Sequence, residues 1–240
     1  MAARMSTLGI IGADGRMGAA VARLAQGWEV RARISEANPD MADLAHCAAV
    51  IDFSAPGALL TALPHLPDGC ALVSGTTGLS EADEAEVAAQ GRRLAVLRSG
   101  NFSLGIALLQ RLVRDAAARL GPDWDIDILE EHHRHKVDAP SGTALMLGRA
   151  AAGARGADLD DVAATERAGL RRPGDIGFAV LRGGGVFGEH EVRLTSESER
   201  LTLGHSALDR DVFARGALRA ARWLTGRPAG LYAMDDVLGL

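Results

Sequence analysis

Leu8-Gly-Ile-Ile-Gly-Ala-Asp-Gly-Arg-Met-Gly18 runs from a short apolar segment into three glycines set three residues apart. Ala19, Ala20, Val21, Leu24 and Ala25 then recur at helical spacing as far as Gly27. The segment reads as a strand, a tight turn and an amphipathic helix. Missing side chains at Gly12, Gly15 and Gly18 let backbone amides approach a pyrophosphate at the helix N-terminus. The spacing G-x-x-G-x-x-G departs from the commoner dinucleotide fingerprint, and in isolation these could be turn glycines only. Their place between a first strand and its helix favours nucleotide binding.

The same rhythm continues outward. Val30 to Ile34, Val50 to Phe53, Ala71 to Ser74 and Ala95 to Leu97 are further short apolar runs, each followed by glycine, serine or proline. Ser80 with Asp83 has the form of a capping box for the helix before the last of these. Residues to about 104 therefore predict parallel βαβ units, a Rossmann-type doubly wound sheet.

The pattern then changes. Ser103 caps, and Gly121-Pro122 closes, a helix from Leu104 to Leu120, after which Ile126 and Ile128 alternate with acids in a half-exposed strand. Ser141 is placed as N-cap of a helix from about Thr143 to Ala152. Ile176 to Leu181, Glu189 to Leu194 and Arg200 to Leu203 have hairpin-like spacing and predict an antiparallel or mixed sheet. Val212, Ala217, Ala220, Ala221 and Leu224 share one face of a last helix, followed by Leu231 to Leu240. The fold class is α/β, with a smaller α+β domain beside the Rossmann-type one. The domains expected are residues 1–103 for the dinucleotide, 104–213 for substrate and oligomerisation, and a segment 214–240 returning to the first.

With 240 residues, 48% of them hydrophobic, and 29 glycines, the chain can bury a sizeable core in one large domain or two small ones. A net charge of -5 without a Lys/Arg block argues against nucleic acid or an acidic membrane as partner. Cys47 and Cys70 are too few and too isolated for a disulfide framework or thiolate metal site, and read as packing residues in a reducing compartment. Met1-Ala-Ala-Arg-Met-Ser-Thr7 lacks a long apolar leader core, and no run approaches the roughly 18 to 20 apolar residues that span a bilayer. A cytoplasmic protein is expected.

Glu36, just past the second strand, is placed to accept hydrogen bonds from adenosine ribose hydroxyls, which favours NADH. Ser35 could hold that place instead, leaving Glu36 a solvated acid. Arg16, inside the glycine loop, suits a 2′-phosphate through its guanidinium geometry, so NADPH stays open. Ser74-Gly-Thr-Thr-Gly78 and Ser99-Gly-Asn-Phe-Ser103 lie at carboxyl ends of later strands, where open α/β sheets bind ligands. Their small residues and hydroxyls would admit a nicotinamide ribose and ring, and ordinary turn chemistry accounts for them equally well.

Glu130-Glu-His-His-Arg-His-Lys-Val-Asp-Ala-Pro-Ser-Gly-Thr-Ala144 puts three histidines, a lysine and three acids into nine positions. So many titratable groups are poor core material, and the stretch reads as a loop for a polar ligand or for proton transfer. Pro140 fixes the approach, Ser141 caps, and Gly142 and Thr143 present first-turn amides with little obstruction, which makes an anion site. Lys136 and a charged His133 beside it suit one or two carboxylates. His132 is left as acid or base near neutral pH, oriented by Glu130 or Glu131. A surface loop of solvated histidines is the plain alternative. A zinc site is disfavoured, because His-Glu-x-x-His and a cysteine cluster are both missing, and no metal is expected.

Together the glycine and histidine stretches resemble the dihydrodipicolinate reductase family, also called 4-hydroxy-tetrahydrodipicolinate reductases, of bacterial diaminopimelate and lysine synthesis. The similarity extends through Val50-Ile-Asp-Phe53, Gly75-Thr-Thr-Gly78, Asn101-Phe102, Gly188-Glu-His190 and Met234-Asp-Asp-Val-Leu238. The resemblance implies that Gly12, Ala13, Asp14, Gly15, Arg16 and Met17 hold the pyrophosphate of NADH or NADPH, with an acid near position 36 on the ribose. It implies Gly75, Thr76 and Thr77, with Ser99, Gly100, Asn101 and Phe102, for the nicotinamide half. His132 becomes proton donor or acceptor, Lys136 a proton donor, His133 a substrate contact, and Gly142 with Thr143 the substrate-carboxylate clamp. The implied substrate is a cyclic dicarboxylate with a conjugated imine, reduced by hydride while an acid supplies the proton. The implied assembly is a homotetramer paired through substrate-domain sheets.

Two departures stand out. Ala37-Asn-Pro-Asp40 leads almost directly toward the third strand, where the family often carries an insertion, and Ser35 stands where some members place the acid and Glu36 where some place an arginine for NADPH. Two further readings remain: a reductase of another small imine or keto acid, and a catalytically silent nucleotide sensor. A sensor would have no use for His132 and Lys136 together.

Overall fold

Residues 5–240 are described by the computed structural model; Met1 to Arg4, part of the stretch read for a leader, lie outside the described residues. The chain divides into two units, Met1–Leu104 with Asp211–Leu240, and Gly105–Arg210. No helix among the described residues is long and apolar enough to cross a membrane.

In the first unit, β1 (Ser6–Ile11), α1 (Arg16–Leu24), β2 (Trp28–Ile34), β3 (Ala49–Asp52), α2 (Pro56–Ala62), β4 (Ala71–Ser74), α3 (Glu81–Ala89) and β5 (Ala95–Arg98) follow in order. The second unit is built from α4 (Leu104–Leu120), β6 (Asp125–His132), α5 (Gly142–Ala154), α6 (Leu159–Val162), β7 (Ala163–Ala164), β8 (Ile176–Arg182), β9 (Glu189–Thr195) and β10 (Arg200–Ser206). The chain then returns to the first unit with α7 (Asp211–Leu224), β11 (Gly230–Tyr232) and α8 (Met234–Leu238).

The first sheet has the order β11-β5-β4-β3-β1-β2, and every pair in it is parallel. All four residues of β3 and all four of β4 are buried, as helix cover on both faces of a parallel sheet requires. On one face, Val50 and Leu72 join Ile11, Leu59, Val87 and Val96 in one core. The capping box at α3 is formed: Ser80 Oγ accepts from Asp83 N, and Asp83 accepts from Ser80 N. Helix α1 stops at Leu24, short of Gly27, whose φ of 78° serves the turn into β2 instead. β11 is a sixth strand that the sequence does not reveal, because three residues are too few to show a period. Helix α7 packs on α1, β3 and β4. It lies so close that a Cβ on Gly216 would stand 1.7 Å from the Phe102 carbonyl oxygen.

The second sheet has the order β10-β9-β6-β8-β7. β6 pairs antiparallel with β9 and parallel with β8, so the sheet is mixed. Its covered face packs Ile126, Ile128, Phe178, Val192 and Leu194 against Ile106, Leu109 and Val113 of α4 and Leu147 and Ala151 of α5. Each large aliphatic buried this way contributes about 1.5–3 kcal/mol.

The histidine stretch does not begin as a loop. The strand does not stop before the histidine stretch but continues through His132, so that Ile126, Ile128, Glu130 and His132 alternate onto one buried face. Glu130 and His132 are buried, Glu130 being satisfied by the Ser141 amide and by Arg182 of β8, and His132 by Glu130 itself, with His190 of β9 packed on its ring, partners out of sight of local sequence.

Candidate active site

Of the three loop glycines, two are required by the turn itself. A Cβ on Gly12, whose φ is 78°, would stand 2.4 Å from the Phe53 carbonyl oxygen, and one on Gly18 would stand 2.1 Å from that of Gly12. Gly15 has ordinary extended φ and ψ, and its missing side chain points to open space apart from one oxygen at 3.2 Å. The Gly12 and Ala13 amides both donate to the Ile34 carbonyl at 2.9 Å, and Gly15 N donates to Gly12 O at 3.1 Å. Helix α1 carries no side-chain cap, so the Gly15 N-cap offers its first-turn amides, from Arg16 and Met17 onward, no side-chain acceptor, as an anion site would need.

Beside this loop, a cavity of about 680 Å³ is lined by Gly12, Asp14, Gly15, Ser35, Glu36 and Phe53, among others. It opens where the chain goes from β1 to β2 on one side and β3 follows on the other, the switch point at which such sheets bind nucleotides. Ser35 is engaged in a turn, accepting from Asn38 N with its carbonyl at 3.1 Å and its Oγ at 3.3 Å. Glu36 is exposed on the rim. Turn, uncapped helix and cavity fit a dinucleotide.

The two later loops are held from beneath. Asp52 is fully buried at the end of β3 and accepts from Ser54 N at 3.1 Å, from Ser54 Oγ, and from Ser74 Oγ at 2.7 Å. It ties the ends of β3 and β4 together, a task that the sequence reading missed by treating Val50 to Phe53 as strand alone. Gly75 is crowded by the Phe53 ring, which a Cβ would meet at 2.3 Å. Thr76 is buried and its Oγ accepts from Ser54 N at 3.1 Å, while Thr77 is exposed. Ser99 Oγ donates to Asn101 O at 2.6 Å and accepts from Asn101 N at 3.1 Å, so the loop around exposed Gly100 is self-supporting. Phe102 is 2% exposed and meets Phe53 edge-on at 5.5 Å. The Phe102 side chain is therefore packing.

In the second unit the chemistry gathers around β6. His132 Nδ1 lies 2.5 Å from Oε2 of Glu130. Burial alone would raise the Glu130 carboxyl, but hydrogen bonds from Arg182, His132 and the Ser141 amide outweigh it and hold the group below the usual carboxylate range. With Glu130 ionised, Nδ1 is the donor of that bond. A Cβ on Gly188 would stand 3.1 Å from His132 Nε2, so a glycine there keeps that ring edge clear. His190, opposite Glu130 on β9, meets the His132 ring edge-on at 5.1 Å.

Lys136 and Asp138 form a two-pronged ion pair, Nζ donating at 2.7 and 2.8 Å. The Asp138 carboxyl is lowered first by that bond and further by the Gly142 amide. Ser141 caps α5 as expected, its Oγ accepting from Ala144 N at 3.2 Å. Gly142 is exposed and Thr143 half-buried at that helix start. The His133 ring is pushed down first by burial, then by the charge of Arg210 and of the neighbouring histidines and Lys136. Its Nδ1 has no hydrogen-bond partner among the described residues. Arg182 and Arg210 escaped the sequence reading, and Asp138 and His190 stood in its quoted stretches without a role; the alternation of β6, extended past Ile128, was the signal that Glu130 and His132 are buried and need partners. No group of metal-binding side chains is found among the described residues.

A parallel-sheet unit with a glycine-turn cavity, together with a second unit that carries a buried Glu–His pair and a Lys–Asp pair close before a helix start, has the composition of a nicotinamide-nucleotide-dependent oxidoreductase. Residues 6–102 match the family model described as dihydrodipicolinate reductase, N-terminus, and residues 105–238 the one described as dihydrodipicolinate reductase, C-terminus. The chain belongs to the dihydrodipicolinate reductase family. It is 49% identical to the 4-hydroxy-tetrahydrodipicolinate reductase of Caulobacter vibrioides, covering 97% of this chain and 96% of the relative. It is 48% identical to the protein of that name from Zymomonas mobilis, covering 97% of each. Among solved structures, a dipicolinate-bound dihydrodipicolinate reductase from Paenisporosarcina sp. TG-14 superposes with a TM-score of 0.77 at 19% identity, covering 96% of this chain and 98% of that one. That likeness supports the Rossmann-type fold with a second, mixed-sheet domain.

Proposed function

We propose that the chain catalyses the NAD(P)H-dependent reduction of 4-hydroxy-tetrahydrodipicolinate to tetrahydrodipicolinate in diaminopimelate and lysine synthesis. Family membership along both units supports this reading, and the observation that carries it is the buried Glu130–His132 pair followed within six residues by the Lys136–Asp138 pair and within ten by the start of α5. The two carboxylates of the substrate suit a place that gathers Lys136, His133, Arg210 and the amides of Gly142 and Thr143. His132, backed by Glu130, holds or releases a proton at Nε2, and Lys136 supplies a proton from its ammonium once a substrate group replaces Asp138. A reduced nicotinamide, when bound, supplies the hydride. In the first unit, the uncapped start of α1 would hold the pyrophosphate and Glu36 the adenosine ribose. Gly75 to Thr77 and Ser99 to Phe102 would offer mainly backbone to the nicotinamide half.

Glu36 beside a ribose favours NADH at least as much as NADPH, since a carboxylate repels a 2′-phosphate and Arg16 only partly offsets it. A homotetramer in the cytoplasm, paired through the second sheet, completes the proposal. The test is oxidation of NADH and NADPH with substrate generated in situ from pyruvate and aspartate semialdehyde. Turnover with both cofactors, and a rise in NADPH affinity in Glu36→Ala, is expected. No turnover with either cofactor favours a reductase of another small imine or a silent sensor.

A further inference from the structure

We propose that Arg182, which nothing in the local sequence connects to the site, is a positioning residue that sets both the tautomer of His132 and the start of α5 through the buried carboxylate of Glu130. The inference rests on the acid-base role proposed for His132 and deepens it.

Glu130 has no exposed side-chain surface. Its carboxylate is nevertheless fully matched. Oε2 accepts from Arg182 Nη1 at 2.8 Å and faces His132 Nδ1, while Oε1 accepts from Arg182 Nη2 at 2.8 Å and from Ser141 N at 2.9 Å. The same guanidinium donates to Asp138 O at 2.7 Å and to Leu181 O at 2.7 Å. One fork on β8 thus grips the strand carrying His132 and the turn that leads into α5. Register makes this possible: His132 and Arg182 are direct partners in the β6–β8 ladder.

Without Arg182, Glu130 would be a buried carboxylate lacking its counter-ion, which favours protonation. A neutral Glu130 no longer holds a proton on His132 Nδ1 by charge. Replacing Glu130 by glutamine is sharper still. Arg182 and the Ser141 amide are donors only, so a glutamine NH₂ finds an acceptor only on an unprotonated Nδ1, and the ring must switch to the Nε2–H form. The other ionisable groups facing His132 are His190 from β9, itself touched by the charge of His205 from β10, and His133 and Lys136 in the following loop. None of them bonds Nδ1 in the structure.

The experiment compares the full chain with Glu130→Gln, Arg182→Lys and Arg182→Met. It uses nitrogen NMR of ring-labelled histidine, assigned with His132→Asn, together with kcat against pH and NADH titration as a check on folding. Glu130→Gln should lose the Nδ1–H signal and lower kcat on the order of 10²- to 10⁴-fold, with the pH profile displaced rather than only scaled. Arg182→Lys should lose less than Arg182→Met, because one ammonium replaces a two-pronged fork. If Arg182→Met fails to fold, Arg182→Lys and Glu130→Gln still decide. Retention of Nδ1–H and of the wild-type pH profile in both overturns the proposal. Absence of turnover in the wild type would fell the reductase reading alone, and the tautomer comparison would then stand by itself: Nδ1–H kept in both variants overturns the positioning role.

Discussion

His190 shows how one residue links packing to acid sensitivity. Its imidazole is pushed down from an ordinary 6.5 to about 4, first by burial and then by the charge of His132, with Glu130 opposing. The Ser141 hydroxyl lies 3.2 Å from His190 Nε2, and Nδ1 is buried without a hydrogen-bond partner among the described residues. A neutral ring is what this setting tolerates. Between about pH 6.5 and 4 the unfolded chain takes up a proton that the folded chain refuses, so stability is full above the upper value and falls by roughly 3 kcal/mol as pH drops through the lower one. Thermal unfolding of wild type and His190→Gln across that range checks it. The wild type should lose Tm more steeply, while Asp127, Glu130 and Asp138, whose lowered carboxyls weaken both proteins at still lower pH, cancel in the comparison. Equal slopes would mean that His190 is not neutral in the fold.

At the scale of elements, the glycine turn separates what folds from what binds. Gly18→Ala drives a Cβ into the Gly12 carbonyl, and a small-to-large change against backbone costs typically 1–3 kcal/mol, so this variant should lose stability whether or not nucleotide is present. Gly15→Val meets only one oxygen at 3.2 Å and should fold with nearly native Tm, yet bind NADH at least tenfold more weakly by calorimetry. Native affinity in Gly15→Val would remove the pyrophosphate from this loop. The turn was legible because glycine spacing is a local signal with a local cause. β6 was legible only as far as Ile128. Beyond it the alternation continues in Glu130 and His132, and a rule that keeps charge out of cores hides the pattern until Arg182, fifty-two residues away, is seen to satisfy it. The burial of the Phe102 ring against Phe53 is likewise a tertiary fact, carried by no local pattern. Asp52 was invisible for the same reason, its partners Ser54 and Ser74 lying on two different strand ends.

For the whole molecule, the sequence conveyed the order of parallel units and the change to a mixed sheet, since both follow from the spacing of apolar runs. It did not convey β11, which closes the β5 edge with Gly230–Tyr232. Removing residues 230–240 should speed amide exchange in β5 and its neighbours and lower Tm, while the amides of β6, β8 and β9 keep their protection. Uniform loss of protection in both sheets would show that the two units unfold as one. The discontinuous first unit also has a consequence in time. Its five early strands emerge from the ribosome well before α7, which covers α1, β3 and β4. Residues 105–210 must be synthesised in between, which at ordinary rates takes roughly 5 to 20 seconds. During that interval an apolar sheet face and the β5 edge stand open in the nascent chain, exposed to chaperones and to neighbouring chains. The unit made first is the unit finished last.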